Sequence, residues 1–232
     1  MFGNPMTSIL TNQITWPCEL SERTKAEILD VAIELDGIQK YATLLHGDDE
    51  RGLFYCAQGL GTFATTSLDN RPLASFIFGK QMWVGAVAIE IYPRFNLYTC
   101  ELEPIRSLFF PKKELNELAK TNGEVYKLLY SIMRTNSPKL VQGMHLSFYG
   151  IEERINFFLL ELARSKKVTD STRIEIKITQ QQLSEIANVS RPRVNEVLNK
   201  FAQKGFIELV RGKMIITNYA GMCKALEDKV VM

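Results

Sequence analysis

Arg191, Arg193, Asn195, Glu196 and Asn199 are the side chains of this sequence whose types and spacing most clearly suggest chemistry. The chemistry is recognition, not bond making. An arginine fork matches the acceptors of guanine, an asparagine amide matches adenine, and a glutamate accepts from the cytosine amino group. They act together only on one face of one element. At 100° per residue, Val194, Val197, Leu198 and Phe201 centre near ~290° from Arg191. The opposite side, near ~110°, holds Pro192, Glu196 and Asn199, with Asn195 beside them. Arg191 and Arg193 flank that face at its N-terminal end.

The neighbouring residues supply the elements that would position this face. Thr179 followed by Gln182 is a capping box, so a helix is expected to start at Gln180 and to bury Leu183, Ile186 and Ala187. Asn188-Val189-Ser190 reads as a tight turn: asparagine tolerates the left-handed conformation, Val189 points inward, and Ser190 caps the next helix. Pro192 sits in the first turn, where its missing N–H costs nothing. Gly205 signals a helix end. FIELVRGKMIITN then gives two short strands around Arg211-Gly212, bearing Arg211 and Lys213. Helix, turn, helix and hairpin make a winged helix–turn–helix, with a basic wing suited to a phosphate backbone. Winged domains of this kind also contact proteins. The competing reading is therefore a small-molecule-binding protein whose winged domain mediates protein contacts.

Other chemistries find little support. Cys18, Cys56, Cys100 and Cys223 are scattered, without the two-to-four-residue spacing of a zinc or iron–sulfur cradle. His46 and His145 are the only histidines. There is no Gly-rich phosphate loop, nucleophile elbow or plausible triad, so no catalytic residue, metal or cofactor is expected and the protein is not read as an enzyme. The 232 residues are 46% hydrophobic and 23% charged, ordinary globular usage. No run reaches the ~20 apolar residues of a membrane span. The N-terminal residues lack a basic region followed by an apolar core, so no secretory signal is expected and the cytoplasm is the expected location. Residues 1–150 carry 14 basic and 16 acidic side chains, whereas residues 151–232 carry 14 and 10. The basic back half points towards a polyanion.

Upstream, short aromatic and β-branched runs separated by Gly, Asp, Asn and Pro predict strands over 38–47, 52–68, 73–79, 82–92 and 96–103, in a barrel or sandwich. A helix is expected within Glu19–Leu35, with Leu20, Ile28, Val31 and Leu35 on one face. Residues 111–165 then switch to helical period. Leu115, Leu118, Val125, Leu129 and Ile132 recur with heptad-like spacing, which suits a two-helix seam or a helix lying on its own domain's sheet. Ser137-Pro138 predicts a kink or break. Ile155, Phe158, Leu159 and Leu162 mark an amphipathic helix over Glu152–Ser165, followed by a polar loop to Arg173.

ERINFFLLELA, IKITQQQLSEIANVSRPRVNEVLNKFAQKGFI and RGKMIITN together resemble the DNA-binding domain of the Crp/Fnr superfamily of bacterial transcription regulators. The resemblance is specific over 151–218. Upstream it is looser: TNGEVYKLLYSIMR resembles the family's dimerisation helix, and the strand-rich region resembles its effector-binding β-roll, with Gly59, Gly79 and Gly85 at the usual glycines. It implies an α+β chain: a cyclic-nucleotide-binding-like β-roll over 1–112, a dimerisation helix region with a hinge over 113–150, and a winged helix–turn–helix over 151–232. It implies a homodimer on double-stranded DNA of pseudo-palindromic sequence, and contact with RNA polymerase. Arg191 falls at the guanine-reading position, Ser190 and Arg193 at phosphate-facing positions, and Thr179 and Gln180 near the backbone. Pro192 and Glu196 depart from the cyclic AMP receptor's base readers. The β-roll departs too. Gly85 is followed by Ala86 where cyclic-nucleotide binders carry glutamate, and Asn96-Leu97 stands where they carry Arg-Ser. The expected effector is an unknown small molecule other than cyclic AMP, or none. Arg94 as a substitute cation, Cys18 or Cys56 as a redox switch and His46 as a haem ligand complete the candidate chemistries. Inert buried thiols, a surface turn histidine and a plain core around Phe76, Trp83 and Tyr98 are the simpler readings.

Overall fold

The structure, a computed structural model, describes residues 14–37, 52–66, 72–86, 96–165 and 173–227, with backbone alone for residues 64–66, 72–75, 96–100, 144 and 147. The strand expected over 38–47, the later part of that over 82–92, the polar loop before Arg173, His46 and Arg94 lie outside the described residues, as do the side chains of Asn96, Leu97, Tyr98 and Cys100. The chain divides into two compact units, residues 1–63 with 78–141 and residues 64–77 with 142–232.

The first unit starts with α1 (Glu22–Asp30), capped by Ser21, whose hydroxyl accepts from the Thr24 amide at 3.2 Å. The helix ends before Leu35, which lies in strand β1 (Ile33–Asp36) and not on the helix face expected for it. β1 pairs antiparallel with β5 (Asn96–Pro111), Ile33 opposite Phe109 and Asp36 opposite Arg106. With β2 (Gly52–Thr66) and β3 (Pro72–Gly79) they form a sheet in the order β1-β5-β2-β3, and the short β4 (Met82–Val84) pairs with β2. Gly59 and Gly85 adopt φ of +91° and +101°, open chiefly to glycine. At Gly59 a Cβ would also stand 2.1 Å from the Pro104 carbonyl oxygen.

Two helices follow, α2 (Lys112–Ala119) and α3 (Glu124–His145). They pack on an aromatic core in which the Trp83 ring lies 5.3 Å from Trp16, 5.1 Å from Tyr55 and 5.1 Å from Phe110. Leu115, Val125, Leu128, Leu129 and Ile132 are buried in that same core, so this stripe serves its own unit and is not a seam. The Lys120–Gly123 turn also separates Leu115 and Leu118 from the rest. The helix is not broken at Pro138. Pro138 has no N–H for the carbonyl of Arg134, but the Ser137 hydroxyl donates to that oxygen at 3.3 Å. Two residues before the proline, buried Asn136 donates to the Trp83 carbonyl at 2.7 Å and ties the helix to the sheet.

The second unit contains a 3-10 turn (Leu146–Phe148), α4 (Ile151–Ser165), β6 (Ile174–Ile176), α5 (Gln180–Ala187), α6 (Arg191–Gln203), β7 (Ile207–Val210), β8 (Lys213–Ile216) and α7 (Tyr219–Glu227). β8 is central in an antiparallel sheet of order β6-β8-β7. α4 buries Ile155, Phe158, Leu159 and Leu162. α7 buries Met222 and Leu226, and its Met222 carbonyl accepts from buried Asn156 of α4 at 2.9 Å. At roughly 25 cal/mol per Å² of apolar surface, such side chains hold α4 and α7 in the core of this unit.

Candidate nucleic-acid interface

Local sequence fixes the geometry of α5 and α6. The capping box forms as expected: the Gln182 amide donates to the Thr179 hydroxyl at 3.1 Å, and the Thr179 amide donates to the Gln182 side chain at 2.9 Å. α5 ends at Asn188, which is left-handed with φ 49° and ψ 53°. Two backbone bonds, Val189 N–H to Ser184 O at 3.0 Å and Asn188 N–H to Glu185 O at 3.3 Å, close a Schellman turn. Val189 is buried. Arg154 of α4 donates to the Asn188 carbonyl at 3.4 Å, and burial lowers its guanidinium pKa. Ser190 occupies the N-cap position of α6, but its hydroxyl makes no capping bond. α6 ends in a second Schellman turn, with Gly205 at φ +69° and Phe206 N–H bonded to Phe201 O at 2.9 Å.

α6 hides Val194, Val197, Leu198 and Phe201 and exposes Arg191, Pro192, Arg193, Asn195, Glu196 and Asn199. The two faces are those the helical projection gave. Thr179 is exposed and Gln180 half-buried at the start of α5, where Gln180 donates to Asn195 at 3.2 Å and links the two helices. Glu196 is held from both sides, by Arg193 at 2.8 Å and Lys200 at 3.1 Å. Hydrogen bonds from these two cations lower its carboxyl pKa and keep it ionised. Lys200 and Gln203 share the exposed face and were not singled out from sequence, although the same 100° projection places them there.

The wing carries its charges differently. Arg211 stands exposed in the hairpin turn with Gly212 at φ +78°. Lys213 is half-buried and paired with Glu175 of β6 at 2.5 Å. Arg173 grips Glu208 with both terminal nitrogens, at 2.7 and 2.5 Å. Among the described residues, Arg191 and Arg211 are without an ion-pair partner and Arg193 and Lys213 have one.

A family model described as the Crp-like helix-turn-helix domain matches residues 153–225. This segment is a Crp-like helix–turn–helix domain. Solved structures match most of the chain. One is a protein of the Crp/Fnr family from Eubacterium rectale, with TM-score 0.66, 17% identity, and 90% of this chain and 95% of that one covered. The c-di-GMP-responsive global regulator CLP from Xanthomonas campestris gives TM-score 0.65 at 18% identity, covering 84% and 99%. FixK2 from Bradyrhizobium japonicum gives 0.60 at 14%, covering 84% and 96%. At these identities the likeness establishes the Crp/Fnr fold for this chain. No curated protein matches it significantly in sequence.

The structure also describes several of the residues weighed for an effector. Ala86 is buried in the core of the first unit, so a methyl group occupies that position. Phe76 and Trp83 are core residues as well. Cys56 is fully buried, its thiol pushed up to about 12 by desolvation, while Cys18 and Cys223 are half-buried. Among the described residues no group of His, Cys, Asp and Glu could hold a metal ion, and no helix is long and apolar enough to cross a membrane.

Proposed function

We propose that this Crp/Fnr-type chain regulates transcription as a non-enzymatic homodimer on pseudo-palindromic DNA, with an α6 from each protomer in successive major grooves ~34 Å apart. The observation that carries this reading is the division of α6: apolar groups on one side, and arginine, amide and carboxylate groups, all exposed, on the other. Arg191, Asn195, Glu196 and Asn199 face the base edges. Thr179, Gln180, Ser190, Arg193 and the wing residues Arg211 and Lys213 face phosphates, with Lys213 exchanging a carboxylate partner for a phosphate and Arg193 keeping one terminal nitrogen on Glu196. The cytoplasm is the expected location and RNA polymerase the expected protein partner.

The homodimer reading is supported by a face of α3 that the sequence reading did not use. Tyr126 (58% exposed), Tyr130 (66%), Met133, Ser137, Leu140 and Val141 (50%) fall within a stripe ~100° wide, spaced by four, three, four and three as far as Leu140. A second copy is the partner with the matching stripe. In this scheme residues 1–112 sense an effector other than cyclic AMP, or none, residues 113–150 pair the protomers, and residues 151–232 bind DNA. Gly150 stands outside regular helix at the expected hinge. An effector would act by favouring one placement of the winged domains.

A gel shift with the purified chain tests the reading. The expected result is binding that weakens steeply and linearly in log–log form as salt rises. Absence of binding at low salt would instead favour the protein-contact reading.

A further inference from the structure

We propose that Glu196, fixed between Arg193 and Lys200, is a specificity-determining residue that selects cytosine at one position of each half-site. The proposal rests on α6 entering a major groove as described above. Arg193, Glu196 and Lys200 lie at i−3, i and i+4, with each carboxylate oxygen taking one cation at 2.8 and 3.1 Å. All three side chains are exposed on the same helix. A carboxylate has about four acceptor sites, so two are spent within the triad and two remain for the groove. An ionised carboxylate only accepts, so it requires a base that donates. Cytosine offers its amino group with no acceptor beside it on the same base. Adenine offers one next to N7, whose lone pair repels a carboxylate, and guanine and thymine present acceptors. The flanking cations place donors on either side of it. The triad therefore presents donor, acceptor and donor along the helix.

The same arrangement lowers indiscriminate binding. Both cations are partly neutralised in the free protein, and the carboxylate repels phosphate. Loss of Glu196 frees two cations for the backbone, each adding about 0.9 to the salt slope.

The test is in vitro selection from random DNA with the full chain, E196A and E196Q, together with salt titrations on a DNA lacking the site. Thermal melting verifies that both variants remain folded, since an exposed ion pair contributes little to stability. The wild type is expected to select cytosine at one half-site position. E196A should lose that preference by about tenfold or more and bind non-specific DNA more tightly, with a slope steeper by about 1–2. E196Q should turn the preference to adenine, which a carboxamide matches with two hydrogen bonds. If the wild type selects a site and both variants select the same base at every position, the specificity role is overturned while the DNA-binding reading stands, whatever the salt slopes do. If the wild type selects no sequence, the DNA-binding reading itself falls, and this proposal with it.

Discussion

Replacing Thr179 by alanine removes one hydroxyl, and with it two of the three contacts of the capping box. The Gln182 amide loses its partner at 3.1 Å, and the Gln182 side chain loses the Thr179 hydroxyl at 3.0 Å while keeping its amide contact at 2.9 Å. Loss of a threonine N-cap costs about 1 kcal/mol, within a range of about 0.5–2. For a unit of roughly 100 residues, that lowers the melting temperature by about 4–8 °C. Thr179→Ser keeps the oxygen and should melt close to wild type. Gln182→Ala removes the reciprocal half of the box, and the double variant should lose less than the sum of the single losses, with a coupling of about 0.5 kcal/mol or more. Thermal and urea unfolding followed by circular dichroism supply the cycle. A Thr179→Ala shift below about 2 °C, or strictly additive losses, would show that the box does not hold the start of α5.

Glu124 binds the N-terminus of α1: it accepts from the Ser21 hydroxyl at 2.6 Å, the Ser21 amide at 3.1 Å and the Thr24 hydroxyl, and its carboxyl is held down to about 2. A carboxyl depressed in the folded state stabilises above its unfolded pKa, and this stability is lost as pH falls through the window from about 4.5 to about 2. Glu124→Gln should therefore melt lower at pH 7 and show less loss than wild type between pH 5 and 2, measured by thermal melts across pH; parallel curves would contradict this. Cys56, buried with its thiol at about 12, should stay unlabelled by a thiol reagent at pH 8 until denaturant is added, as read by peptide mass spectrometry. Tyr130→Asp places a charge in the exposed stripe of α3 and should convert dimer to monomer in light scattering without lowering helicity, whereas an unchanged mass would remove that stripe from the interface.

The winged unit was legible because its signals are local. Thr179 with Gln182, Asn188, Pro192 and Gly205 each fix a backbone turn within a few residues of themselves, and the buried valines follow at helical spacing. What escaped depends on partners distant in sequence. The pairing of Lys213 with Glu175 needs β6, three residues long and too short to carry a period. α3 is apolar on two faces, and the stripe counted from Leu115 was the one its own core claims. The outer stripe contains two tyrosines, amphipathic side chains that a count of aliphatic residues overlooks. The helix runs on through Pro138 with the Ser137 hydroxyl on the Arg134 carbonyl, a partner that helical spacing does not show. The length of β5, which runs to Pro111, comes from its register with β1 and not from its own alternation.

The most direct measurement of the central claim compares the wild-type chain with Arg191→Ala on its selected DNA site, on single-base variants of that site and on unrelated DNA. Arg191 is exposed at the N-terminal end of α6 and, among the described residues, has no ion-pair partner. The account predicts a loss of about 1–3 kcal/mol on the selected site, relaxed preference at one base position, and little change on unrelated DNA. An equal loss on every sequence, or no sequence preference in the wild type, would contradict it.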